Sequence, residues 1–309
     1  MVKITKKWRV GSMVVAVLLF ALLLTGFRLQ WINTFNETGD QPIIENGVLD
    51  LREWDFSDGK VLSLNGEWGF SPYEHITTIP RASDNVTERY IQTPGDWSEV
   101  LNPGDHSPYG YGSYHLRILV NPDQNQTYGM QVPSIRSSSA LYINGLFSGK
   151  SGEVADNEED AHALNVPYVS SSIRADEEGV IEIVLQATNF VDPRSSGLVR
   201  SIKFGYEENI LSDVKLSTLL QVITAVVFII HALFACILFV IGIRDRRLLY
   251  FALMLLVSSV SNLMGGDEKV LFHYIEMDYT GSFKMSFSLL ILFGLAMIHC
   301  VKPQIQSLV

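Results

Sequence analysis

Residues 216–243, LSTLLQVITAVVFIIHALFACILFVIGI, run for 28 positions without a charged side chain. An α-helix needs only about 20 residues to cross a hydrocarbon core of about 30 Å. Eighteen of the 28 are Leu, Ile, Val or Phe. At roughly −0.3 to −0.6 kcal/mol each on the insertion scale, they outweigh any cost of His231 near the middle. The run stops at Arg244, Asp245, Arg246 and Arg247, a basic cluster of the kind retained on the cytoplasmic side. A polar, strand-patterned stretch precedes this segment and further apolar runs follow it. The segment is therefore expected to join an exported domain to a membrane bundle.

The remaining apolar runs extend the same weave. Lys3, Lys6, Lys7 and Arg9 occupy a cytoplasmic N-terminus, residues 1–9, ahead of a segment at 10–29 whose apolar run is 10–27. That run reads as a signal peptide or, because Thr25, Gly26, Phe27 and Arg28 offer no small-x-small cleavage site, as an uncleaved signal anchor. A linker at 30–45 leads into the exported domain at 46–208. Two further spans are expected at 248–264 and 284–301, separated by an outside loop at 265–282 and followed by a cytoplasmic end at 302–309. Every basic cluster then falls inside, as the positive-inside rule requires.

The exported stretch contains short apolar runs bounded by turn residues, with no long amphipathic helix between them. Residues 113–120, 128–132, 140–143 and 180–187 are of strand length. Asn65-Gly66 and Asn144-Gly145 read as two-residue hairpin turns. About nine strands at this spacing predict an antiparallel sandwich or jelly roll. The only cysteines, Cys236 and Cys300, fall in apolar spans, so no disulfide framework supports the domain and its core must suffice. Between residues 33 and 212 there are 27 Asp and Glu against 11 Lys and Arg. That acidic balance argues against nucleic acid or anionic lipid as a partner of this domain.

Five motifs, LNGEWGF (64–70), TPGDW (93–97), YGYGSYHLRILV (109–120), LYINGLFSGKSG (141–152) and IEIVLQATN (181–189), occur in order. Together they resemble the jelly-roll sugar-binding domain of glycoside hydrolase family 2. The resemblance implies a galactose-binding-like fold with Trp68 and Trp97 in its core; that family's catalytic carboxylates belong to a separate barrel domain. An exported jelly roll followed at once by close-set helices is similar to the bacterial seven-transmembrane receptors with diverse intracellular signalling modules (7TM-DISM). That resemblance implies a relay to a cytoplasmic histidine kinase or cyclase, and it makes the chain a truncated portion with further spans expected beyond Val309.

The fold class expected is thus mixed: an extracytoplasmic all-β jelly-roll sandwich plus α-helical transmembrane segments. The function expected is ligand sensing and membrane relay at a bacterial cell surface, with no catalytic residues, cofactor or metal site. A membrane-anchored carbohydrate-binding or carbohydrate-processing protein is the first alternative, and a transporter or channel subunit the second. Candidate ligand residues are Tyr109, Tyr111, Arg136, Asn189, Asp192 and Arg194, which combine ring faces with hydrogen-bonding groups as a polyol site requires. Tyr114 is weighed with the other two tyrosines as a stacking ring or a strand-packing one. His231 is the relay candidate, since an ionisable group within a span is costly, with a structural neutral histidine making one interhelical hydrogen bond as the alternative. The acidic run Glu153, Asp156, Glu158, Glu159 and Asp160 reads as a solvated surface, and Gly265-Gly266-Asp267-Glu268 as a loop that only imitates a cyclase signature. The partners expected are the lipid bilayer, a second copy of the chain in a homodimer, and a small-molecule ligand. A saccharide is one candidate ligand beside a peptide, a protein or another small molecule.

Overall fold

The computed structural model describes residues 41–56, 59–79, 89–122, 126–135, 137–194 and 197–306, with Val15, Leu19, Leu22, Leu23, Thr25 and Gly26. The chain divides into two units, Met1–Gln41 and Pro42–Val309. In the first, those six positions are helical. The expected cytoplasmic end at 1–9, most of the expected anchor at 10–29 and the linker up to residue 40 lie outside the described residues.

The second unit begins with eleven strands among the described residues. In chain order they are β1 (Val48–Asp50), β2 (Val61–Ser63), β3 (Gly66–Pro72), β4 (Arg89–Thr93), β5 (Gly110–Leu119), β6 (Tyr128–Val132), β7 (Ser138–Ile143), β8 (Leu146–Ser151), β9 (Tyr168–Ile173), β10 (Val180–Asn189) and β11 (Lys203–Tyr206). A short helix, α1 (Ser98–Leu101), lies between β4 and β5. One sheet runs β4-β3-β5-β10-β7-β8, with β1 paired in parallel to β5; the other runs β2-β11-β6-β9. All other pairings are antiparallel.

The two sheets bury one shared core. Leu116 and Ile118 of β5, Ile183 and Leu185 of β10 and Leu141 of β7 join Met130 and Val132 of β6 and Phe204 of β11, all fully buried. Burying a side chain of this size contributes roughly 1.5–3 kcal/mol, and no disulfide is needed. Trp68 and Trp97 are both 0% exposed. The Trp68 indole donates to the Leu64 carbonyl at 3.2 Å, and Trp97 stacks on Tyr114 with rings 6.2 Å apart. β10 is buried along nearly its whole length rather than on alternate residues. Loops cover its second face: Gln186 donates to the Ile76 carbonyl at 2.9 Å and Thr188 to that of Ala155 at 3.0 Å.

The two expected hairpins part ways. Asn144 and Gly145, with φ of 50° and 77°, do turn β7 back on β8, the left-handed pair that such a turn demands. Asn65 and Gly66 do not form a hairpin. β2 pairs with β11 in one sheet and β3 with β4 and β5 in the other. The chain crosses between layers there, and Gly66 (φ 137°) passes so close to Ile44 that a Cβ would lie 2.5 Å from its carbonyl oxygen.

β11 passes directly into α2 (Glu207–Ile241), which is followed by α3 (Arg246–Met264), a 3-10 turn (Val270–His273) and α4 (Tyr279–Gln306). Each long helix is long and apolar enough to cross a membrane. At 1.5 Å per residue the 35 residues of α2 extend about 52 Å, well beyond a hydrocarbon core of about 30 Å. Its first two turns belong to the sandwich. Ile210 is buried, Asn209 donates to the carbonyls of Phe56 and Lys60, and Asp213 pairs with Lys203 at 2.7 Å. Gly129 of β6 permits this approach, since a Cβ there would sit 3.2 Å from the Glu207 Cα. Further along, Ala225, Ala232 and Ala235 of α2 and Ala252 of α3 are buried, small residues of the kind that let helices pack closely in lipid. The Ser259 hydroxyl donates across to the Ala225 carbonyl at 3.1 Å.

Candidate functional site

Strand register gathers the candidate loops at one end of the larger sheet. Gly110, where β5 begins, pairs with Asn189, where β10 ends; Thr188 beside it pairs with Ser138, where β7 begins. Segments at 108–110, 133–135 and 189–194 therefore emerge together. Arg136 lies outside the described residues. Asn189 and Asp192 are buried, and Arg194 is half-exposed.

These last three residues form a hydrogen-bonded ladder. Asn189 Nδ2 donates to the carbonyls of Pro108 and Asp192, and its Oδ1 accepts from the Asp192 amide at 2.9 Å. The Asp192 carboxylate accepts from Arg194 Nε and Nη2, each at 2.9 Å, and from the Tyr279 hydroxyl at 2.6 Å. Asn189 and Asp192 thus shape the loop from within, and Arg194 is the member of the set that reaches open space. Tyr109 and Tyr111 belong to a different group. Tyr109 is 41% exposed, while the Tyr111 ring stacks on His75 at 4.8 Å and meets the Tyr73 ring edge-on. Tyr114 is a core residue: it is fully buried, and its hydroxyl accepts from the Leu198 amide at 3.1 Å.

The same end of the sandwich holds the loop between α3 and α4. Asp267 pairs with Arg200 at 3.5 Å. Glu268, 4% exposed, accepts from Gln131 of β6 at 2.8 Å and also bonds Ser217 of α2. Lys269, 7% exposed, donates to the Ser134 hydroxyl at 3.0 Å and the Asn165 carbonyl at 2.9 Å. The Tyr279 amide, at the start of α4, donates to the Ala163 carbonyl at 3.1 Å. Arg194 sits 5.3 Å over the Phe283 ring. From below, Gln221 of α2 donates to the carbonyls of Asn262 and Gly265. Asp267 and Glu268, the acidic half of the cyclase-like motif, are thus used in docking. The sequence reading singles out none of Gln131, Ser134, Asn165, Arg200, Lys269 or Tyr279. The one available signal is the placement of opposite charges in a short break between apolar spans.

Electrostatics differ at the two ends of this junction. Burial raises the Glu268 carboxyl above its ordinary value, only partly offset by its bonds from Gln131 and Ser217. Burial acts the same way on Asp192, but the hydrogen bonds from Arg194 and Tyr279 outweigh it and hold that carboxyl below its ordinary value. His231, the relay candidate, lies on the exposed face of α2 and bonds back to the Val227 carbonyl of its own helix at 2.7 Å. His299 bonds back to Leu295 in the same way and faces the Tyr250 ring at 5.2 Å.

Two hollows flank the Arg200–Asp267 pair. One, of about 280 Å³, is lined by Arg194, Arg200 and Lys269 with Ser134, Phe272 and Phe283 among its other walls. The second, of about 350 Å³, lies between Gln131, Pro133, Arg200, Lys203 and Asp267. Among the described residues no three His, Cys, Asp or Glu side chains converge as a metal would require. The arrangement offers hydrogen-bond donors, positive charge and ring faces, the means of binding.

The class defined by this geometry is a β-sandwich docked onto helices long and apolar enough to cross a membrane. No protein-family model matches the sequence, and no curated protein matches it. Among solved structures the chain is similar to β-glucuronidase from Ruminococcus gnavus. The complex with D-glucaro-d-lactam aligns at 16% identity and a TM-score of 0.36, over 48% of this chain and 29% of the enzyme. The complex with N1-substituted uronic isofagomine gives 16%, 0.36, 48% and 30%, and the apo enzyme 16%, 0.35, 47% and 28%. The chain therefore spans under a third of these enzymes' length, and the likeness assigns it no activity.

Proposed function

We propose that this chain is the ligand-sensing and membrane-relay portion of a bacterial cell-surface receptor, with the sandwich outside and its output directed to a cytoplasmic histidine kinase or cyclase module. The observation that carries this reading is the way the loop at 265–279 is built into the sandwich. β11 continues into α2, Glu268 and Lys269 in the loop after α3 are buried against β6 and its following loop, and α4 begins on the Ala163 carbonyl. A ligand that displaces Ser134, Asp192 or Arg200 would act on Lys269, Tyr279 or Asp267, and so on the outer ends of α3 and α4. It does so only to the extent that it binds the two arrangements with different affinity.

The side assignment follows from charge. The sandwich and the loop at 265–278 meet at one end of the helices, and Arg244, Arg246 and Arg247 lie at the other. The basic end belongs in the cytoplasm.

A second reading, a membrane-held carbohydrate-binding protein without relay, is favoured by the group Tyr73, Tyr111 and exposed Tyr109, rings of the amphipathic kind that stack on sugars. Amide hydrogen exchange on the chain in nanodiscs, with a panel of cell-wall and plant oligosaccharides, separates the two. The receptor reading expects a bound ligand to alter exchange in the loop at 265–278 and the helix ends. Protection confined to the sandwich would favour the second reading, and a panel without effect at about millimolar concentration would count against saccharides in both.

A further inference from the structure

We propose that the hollow between the sandwich and the ends of α3 and α4 binds a small anion, a carboxylate or phosphate borne on a ring or acyl body. This deepens the sensor reading and rests on it for its physiological meaning, while the site itself is testable alone.

Three cationic side chains, Arg194, Arg200 and Lys269, line the hollow, and no carboxylate is among its lining residues. In a chain of net charge −10, the lining itself presents cations, with the carboxylates of Asp192 and Asp267 paired to Arg194 and Arg200 from outside it. The three cations come from different places. Arg194 and Arg200 stand on the segment between β10 and β11, and Lys269 on the loop between α3 and α4. An anion held by all three would therefore bridge the sandwich and the membrane helices.

Each cation is positioned for the task. Arg194 spends Nε and Nη2 on Asp192 and Tyr279, which fixes the plane of its guanidinium and leaves Nη1 to donate to an anion. Among the described residues Arg200 is held by the 3.5 Å contact with Asp267, whose side chain is 70% exposed. A pair so open to water contributes little, so Arg200 can turn to a ligand at small cost. Lys269 is fixed by Ser134 and Asn165 and takes a left-handed backbone, φ 47°, a conformation unusual for a residue with a Cβ.

The rest of the wall suits the body of such a ligand. Ser134, Ser282 and Ser286 supply hydroxyls, and Met264, Phe272 and Phe283 an apolar face. A volume of about 280 Å³ is near the lower end of the ~300–1,000 Å³ typical of small-molecule sites. Phe283 is 51% exposed on the first turns of α4, so an acyl chain or a sugar ring could lie along it. The anionic head is the shared chemistry, and it can come from a soluble acidic sugar or phosphate or from a lipid headgroup.

The test uses the full chain in phosphatidylcholine nanodiscs, titrated calorimetrically with galacturonate, galactose and inorganic phosphate, and repeated in phosphatidylglycerol nanodiscs. The expected result is binding of galacturonate or phosphate but not galactose, weakened by added salt. Arg200→Gln, a substitution at the rim, should weaken it about tenfold or more, and Lys150→Gln, on β8, should not. Equal affinity in both lipids supports the site with a soluble anion as occupant; galacturonate affinity lost only in phosphatidylglycerol supports it with a headgroup as occupant. Galactose binding as tightly as galacturonate overturns the proposal. So does an Arg200→Gln affinity within about twofold of the parent, or binding of neither anion with no phosphatidylglycerol retained by native mass spectrometry. Hydrogen exchange on the same samples keeps the two ideas apart. Anion binding that leaves the helix ends unchanged upholds the site and removes the relay. A helix response to a neutral oligosaccharide with no anion bound upholds the relay and removes the site.

Discussion

Glu268 and Asp192 reach the junction from opposite sides, one from the membrane helices and the other from the sandwich. Glu268 has its carboxyl raised above the ordinary 4.5, chiefly by burial. The docked state therefore holds its proton more tightly, and the stabilisation is complete below 4.5 and lost as pH rises through the raised value. Lys203 and Asp267 are the charges that act on it. Asp192 is held below 3.8, burial being outweighed by Arg194 and Tyr279, so its contribution is present above 3.8 and lost as pH falls through the lowered value. Amide exchange of residues 265–278 should accordingly speed up as pH rises above 4.5, after correction for the intrinsic rate. Glu268→Gln, of the same shape and uncharged, should flatten that trend; an unaltered trend would remove Glu268 as its source. In the core, Trp68→Ala should cost about 3–5 kcal/mol in denaturant unfolding of the sandwich, because the ring is 0% exposed. A loss below about 1 kcal/mol would contradict its burial.

At the scale of elements, the joint between β11 and α2 determines where the sandwich ends. A chain cut after Tyr206 lacks Ile210, which covers Gly129 of β6, whereas one cut after Val214 keeps it. The longer piece should be more stable by roughly 1.5–3 kcal/mol, the worth of one buried isoleucine, as measured by urea denaturation; equal midpoints would mean that the helix does not stabilise the sheet. Gly129→Val should loosen the same joint by about 1–3 kcal/mol through overpacking. The apolar middle of α2 was legible in the sequence because its 28 uncharged positions exceed the about 20 that a membrane-crossing helix needs. Its first two turns were not, since Glu207, Glu208 and Asp213 look like loop, and this part of the helix packs on β6 and β11. The Asn144-Gly145 turn was legible because its chemistry is local. Asn65-Gly66 carries the same dipeptide, yet its strands pair in different sheets, a choice made by distant residues. The ligand candidates were read in the same way. Asn189, Asp192 and Arg194 lie in one short segment and do come together, but their partner Tyr279 is 85 or more residues away.

Across the whole molecule, the loop at 265–279 ties the sandwich to the helices. Reporter fusions after Tyr274 should give an outside signal and after Arg247 a cytoplasmic one, the positions that the basic cluster assigns; the reverse pattern would put the sandwich inside. Amide hydrogen exchange of the full chain in nanodiscs reads this docking. Residues 265–279 should exchange as slowly as β6, the Tyr279 amide in particular, because it is bonded to the Ala163 carbonyl. Lys269→Met should release them while leaving β6 protected. Exchange of residues 265–279 at the rate of a free loop in the parent chain would contradict the account.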